Sequence, residues 1–183
     1  MVIIIREEEQ KTRLGGWSIS EEVVATISDL IKPNDIILEL GSGAGTGVLA
    51  ETYQMISVEN NPAFLGIEDT RYIHAPIIDY DESLYTDETG WYDYNILKAE
   101  LPTEYDLLLV DGPHGRIGRS GLLSHLDLFR SDKPVIVDDS HRIAESTLAE
   151  NICKAWNMEM EIFRCGEESN EGLIRKYHLL TPR

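Results

Sequence analysis

The chain has 183 residues, 42% of them hydrophobic, and a formal net charge of −17. That length is most economically one domain, 1–183, with an arm and leading helix over 1–33 and a core over 34–183. The acidic excess repels nucleic-acid backbones and anionic membranes, and no stretch approaches the length of a membrane span, so neither is an expected partner.

In chain order, Met1-Val2-Ile3-Ile4-Ile5 gives way at once to Arg6-Glu7-Glu8-Glu9. It lacks the basic leader and length of a signal peptide and reads as a short edge strand or arm. A helix is predicted over 18–31: Ser18 and Glu21 have capping-box spacing, Val23, Ile27, Leu30 and Ile31 share one face, and Lys32-Pro33 stops it. An apolar strand over 35–40 runs into Gly41-Ser42-Gly43-Ala44-Gly45-Thr46-Gly47, with a helix from about residue 45. Further strands are predicted over 55–59, 72–75, 105–110 and 134–137, and helices over 120–129 and 144–156. Terminal strands over 159–164 and 173–180, with a polar turn between them, suit a closing hairpin. The pattern is α/β: a doubly wound, Rossmann-like sheet of about seven strands with an antiparallel C-terminal hairpin. The connection 79–104 is long and carries Tyr80, Tyr85, Trp91, Tyr92 and Tyr94. It reads as a substrate-facing flap or as a surface excursion holding a helix, and both stay open. Cys153 and Cys165 have no metal or redox spacing and read as reduced packing residues in a cytoplasmic protein.

The glycine-rich turn after the first strand lets the chain reverse sharply and lets a ligand approach the backbone at a helix N-terminus. A dinucleotide fingerprint needs a third glycine, and the two registers place Thr46 or Val48 there instead. The form found, Glu39-x-Gly41-x-Gly43-x-Gly45, resembles motif I of the class I S-adenosylmethionine-dependent methyltransferases. The resemblance implies Glu39, Gly41, Ser42 and Gly43 around the methionine moiety. Glu59 closes the second strand 20 positions after Glu39, where a carboxylate can accept bonds from both ribose hydroxyls. Asn60 would flank the adenine, Ala75 and Pro76 would form its other wall, and Asp79 is a weaker candidate for its amino group.

Asp111 closes the fourth strand and Asp138-Asp139 the fifth, so three carboxylates converge and require positive charge between them. Hard oxygen ligands of this kind suit Mg, Mn or Ca. The set is similar to the metal triad of divalent-metal-dependent, catechol-type O-methyltransferases, with His114 where those enzymes have lysine. Asp111-Gly112-Pro113 with Gly118-Arg119 also resembles the glucuronoxylan O-methyltransferases. The resemblance implies in-line attack of a small-molecule or sugar hydroxyl on the sulfonium methyl. A divalent cation on Asp111, Asp138 and Asp139 would then lower the hydroxyl's pKa. Asp111 and His114 are the catalytic candidates, His114 as base and His141 as a lower-ranked one. Arg116, Arg119 and Arg142 would either clamp an anionic substrate or neutralise the aspartates. A homo-oligomer stays open, and two other functions do as well: an NAD-dependent oxidoreductase and a non-catalytic S-adenosylmethionine-binding module.

Overall fold

A computed structural model describes residues 19–66, 68–79, 90–169 and 172–183. The predicted N-terminal arm, Ser18, Tyr80 and Tyr85 lie outside those residues. Helix α1 (Glu21–Leu30) begins later than the sequence predicts, because Ser20 rather than Ser18 is its cap. The Ser20 hydroxyl accepts from the Val23 amide at 3.3 Å and donates to Cys165 Sγ at 3.2 Å. Strand β1 (Ile36–Leu40) leads into α2 (Ala44–Ala50), so Gly45 and Gly47 are helical and only Gly41 and Gly43 belong to the turn.

The chain continues through β2 (Gln54–Glu59), β3 (Arg71–His74), β4 (Ile77–Ile78), β5 (Trp91–Tyr92), α3 (Tyr94–Glu100) and β6 (Leu107–Val110). A 3₁₀ segment (Ser120–Leu128), β7 (Val135–Val137), α4 (Ile143–Trp156), β8 (Met158–Glu168) and β9 (Ile174–Pro182) complete it. The helix predicted over 120–129 is 3₁₀ and is kinked at His125, whose Nδ1 lies 2.6 Å from the Gly121 carbonyl oxygen.

Seven strands form one sheet in the order β3-β2-β1-β6-β7-β9-β8. β3 to β7 in that order are parallel, and β9 is antiparallel to both β7 and β8. The predicted hairpin is therefore present, with its second strand inserted beside β7. Alternation of side chains divides the core between the two faces. Leu38, Val58 and Val110 pack with Leu97, Leu122, Leu148 and Ile152, while Ile37, Leu107 and Leu109 pack with Val23, Ile27 and Leu49. Each such side chain contributes about 1.5–3 kcal/mol when fully buried.

The described part of the 79–104 connection holds a helix, α3, as one sequence reading allowed, but the aromatic pair just before that helix is not on the surface. Trp91 and Tyr92 pair with Ile78 and Ile77 as a short hairpin and are 0% and 1% exposed, so they belong to the core. Asp93 then caps α3 by accepting from the amides of Asn95 and Ile96. Among the described residues no helix is long and apolar enough to cross a membrane.

Candidate active site

β1 continues sideways to β2 and β3, and the chain then returns to place β6 on the other side of β1. Ligands of open α/β sheets bind at such a reversal, beyond the carboxyl ends of the strands. Here the two turns at the reversal touch. Gly41 has φ +91°, which favours glycine, and a Cβ on it would fall 2.8 Å from the Gly112 backbone. A Cβ on Gly43 would meet nothing within 4 Å, so the turn opens outward there. This cradle suits a ligand lying against bare backbone.

Two acids frame it. Glu59, 6% exposed, accepts from the Ser42 amide at 3.0 Å through Oε2 and from the Asn61 amide at 2.6 Å through Oε1. Each oxygen keeps a second lone pair, enough for the two hydroxyls of a ribose. Glu39, 2% exposed, has an internal role: its Oε2 accepts from Thr46 Oγ1 at 2.8 Å and Ser57 Oγ at 2.7 Å. It ties β1, β2 and the first turn of α2 together. Burial raises its pKa to about 7, against the opposing hydroxyl bonds.

At the ends of β6 and β7, Asp111, Asp138 and Asp139 offer carboxylate oxygens within 4.8 Å of one another. Arg119, 4% exposed, donates from Nη2 to Asp111 Oδ1 and Asp139 Oδ2, both at 3.3 Å. Its guanidinium also donates to the carbonyl oxygens of Asp111, Asp138 and Pro113 at 2.6, 3.1 and 3.3 Å. Arg142 lies 3.1 Å from Asp139 and 3.7 Å from Glu145. Arg175 lies 2.9 Å from Asp138 and 3.6 Å from Asp139. Four carboxylates thus face three guanidiniums. Burial and the charge of Asp138 push Asp111 well above the ordinary carboxylate range, and burial and Asp139 raise Asp138. Burial opposes ionisation of Asp139 too, but Arg119, Arg142 and Arg175 outweigh it and hold its carboxyl low. Asp139 turns the chain with φ +57°, a left-handed conformation that aspartate tolerates better than most residues.

No protein-family model matches the chain, and no curated protein matches it. Solved structures do. An O-methyltransferase from Bacillus cereus in complex with S-adenosylhomocysteine (SAH) aligns with TM-score 0.57 at 13% identity, over 99% of this chain and 90% of that one. The O-methyltransferase TomG from Streptomyces achromogenes, in complex with S-adenosylmethionine (SAM), aligns with TM-score 0.55 at 13% identity, over 97% and 86%. A TehB-like SAM-dependent methyltransferase from Corynebacterium glutamicum gives 0.56 at 13%, over 99% and 97%. The chain shares its fold with these methyltransferases.

Within this fold, the structure brings Gly41, Ser42, Gly43, Glu59 and Asp111 to one end of the sheet. Asn60 follows Glu59, and its carbonyl oxygen lies 3.3 Å from His74 Nε2. Pro76 is exposed, whereas Ala75 is buried in the core and its amide donates to the Glu59 carbonyl oxygen at 3.0 Å. Ala75 therefore ties β3 to β2 rather than presenting a wall to solvent. Asp79 is exposed. His114 is exposed on the loop after β6, where its Nδ1 accepts from the Arg116 amide at 3.2 Å. Of the two roles open to the arginines, Arg119 and Arg142 take the neutralising one, and Arg116 forms no ion pair among the described residues. Sequence reasoning missed Glu145 and Arg175. An acid in the first turn of α4 was a legible signal for Glu145. Arg175 became predictable only with the register Val137↔His178, which carries β9 past the end of β7.

One surface groove lies at the opposite, amino ends of β1, β2 and β3, lined by Tyr53, Gln54, Thr70, Arg71 and Glu104 among others. It holds none of these site residues.

Proposed function

We propose that this protein is a SAM-dependent methyltransferase acting on a hydroxyl oxygen of a small molecule or sugar. One observation carries the reading: the open cradle at Gly43 lies beside Glu59, whose oxygens retain ribose-binding capacity, at the reversal point of the methyltransferase fold. In the reaction the acceptor oxygen forms a bond to the methyl carbon as the carbon–sulfur bond breaks, and SAH leaves. The protein's part is alignment, with Glu59 holding the ribose and Asp111 the amino end of the cofactor. His114 takes the hydroxyl proton. The missing third glycine of the dinucleotide fingerprint argues against an NAD-dependent oxidoreductase. Turnover with any acceptor separates the enzyme from a module that only binds SAM.

SAH should bind by calorimetry and raise the unfolding temperature by linkage. Glu59→Ala should weaken that binding by about 1–3 kcal/mol, through loss of charge-assisted bonds. Stabilisation by NADH and not by SAH would overturn the reading.

A second reading adds a divalent ion, and Asp138 Oδ1 favours it: this buried oxygen has no hydrogen-bond partner among the described residues. Asp111, Asp138 and Asp139 would hold the ion, and when bound it would lower the pKa of the acceptor hydroxyl. Arg119 already lies between Asp111 and Asp139, so an ion would have to share these oxygens with a guanidinium. The expected outcome of adding a chelator under this second reading is loss of methyl transfer with SAH binding retained. Full activity in chelator leaves the arginines as the only counter-charge the acids require.

A further inference from the structure

Tyr92 lies outside every motif of the sequence, yet its hydroxyl reaches the point where the two site turns meet. β4 and β5 form a small hairpin after β3, separate from the main sheet, and β5 carries Tyr92 with its ring packed in the core. A Cβ built on Gly112 would fall 2.7 Å from the Tyr92 hydroxyl and 2.5 Å from Gly41 Cα. The hydroxyl is therefore at the seam between the turn after β1 and the turn after β6.

Tyr92 is 1% exposed, and its hydroxyl has no hydrogen-bond partner among the described residues. Phenylalanine would fill the same core volume without an unpaired polar atom. A buried hydroxyl left unsatisfied weakens a fold, and where one persists beside a ligand cradle the missing partner is most simply the ligand. Burial drives the phenol well above its ordinary pKa, and the charge of Glu59 adds to this, so the group stays a donor. Glu59, Arg119, Asp111 and Glu39 all act on it electrostatically, which places it amid the charged groups of the site.

We infer that Tyr92 is a cofactor-binding residue whose hydroxyl donates a hydrogen bond to SAM lying across Gly41 and Gly43. The inference rests on the methyltransferase reading and adds a contact from the β4–β5 hairpin to it. It also gives the β4–β5 hairpin a purpose: the hairpin brings a donor from the β3 side to the β1–β6 reversal.

The experiment compares wild type and Tyr92→Phe in two measurements, SAH affinity by calorimetry and unfolding without ligand. Tyr92→Phe is expected to weaken SAH binding by about 5–30-fold, the loss of one buried hydrogen bond. Its ligand-free unfolding midpoint is expected to stay level or rise, because an unpaired hydroxyl has been removed. A variant that binds SAH as tightly as wild type overturns the inference and leaves the methyltransferase reading standing. So does a variant whose ligand-free midpoint falls clearly, since the hydroxyl would then be satisfied within the protein. Wild type that fails to bind SAH overturns the methyltransferase reading, and the inference with it.

Discussion

Replacing Arg119 with methionine is expected to cost about 3–5 kcal/mol of folding stability, the range for breaking a buried ion pair from one side. The side chain is 4% exposed and lies within 3.3 Å of both Asp111 and Asp139. Glu145 is 4.0 Å away, and four backbone carbonyl oxygens accept from the same guanidinium. Methionine preserves the stem and removes every one of these donors. Arg119→Lys keeps the charge but not the planar fork, so it should recover only part of the loss. Urea denaturation of the three proteins measures the effect. An unchanged midpoint in the methionine variant would mean that the aspartates are neutralised without Arg119.

A second large effect is expected at Glu39, and it depends on pH. The folded protein raises this carboxyl from 4.5 to about 7, so it holds the proton more tightly than the unfolded chain does. The associated stability is fully present below about pH 4.5 and is lost as pH rises through about 7. By pH 8 the ionised, buried Glu39 costs wild type roughly 3 kcal/mol, at about 1.4 kcal/mol for each unit of pKa difference. Glu39→Gln keeps an oxygen to accept from Thr46 and Ser57 and carries no charge. Its stability relative to wild type should therefore rise by roughly 3 kcal/mol between pH 4 and pH 8. The new amide group needs its own partner, but that cost is the same at both pH values and drops out of the comparison. A difference between the two proteins that does not change with pH would show that Glu39 ionises normally.

The fold was largely legible because its signals are local. Continuous apolar runs at 107–110 and 135–137, short and bounded by turn residues, suit strands buried on both faces, and the glycines after Leu40 mark the reversal of the chain. Glu59 could be placed beside the glycine turn because its distance from that turn follows from one strand–helix–strand unit. What stayed hidden depends on contacts distant in sequence. Arg175 meets Asp138 across 37 positions, and only insertion of β9 next to β7 brings them together. Trp91 and Tyr92 sit in a tyrosine-rich loop whose composition suits a surface flap, and pairing with Ile77 and Ile78 buries them instead. The acid cluster was found, with Arg119 and Arg142 beside a metal among its possible counter-charges, but guanidinium placement leaves no spacing signal that could choose between them or bring in Arg175.

The position of β9 has a consequence for the order in which the molecule is made. Synthesis runs from the N-terminus, so β1 to β7 and all four carboxylates leave the ribosome before the strand that lies against β7. Until β9 arrives, β7 is a bare edge able to pair with a neighbouring chain, and Asp138 lacks its arginine. A nascent chain of this protein therefore passes through an interval in which an unpaired strand edge and an uncompensated carboxylate coincide, and one strand relieves both.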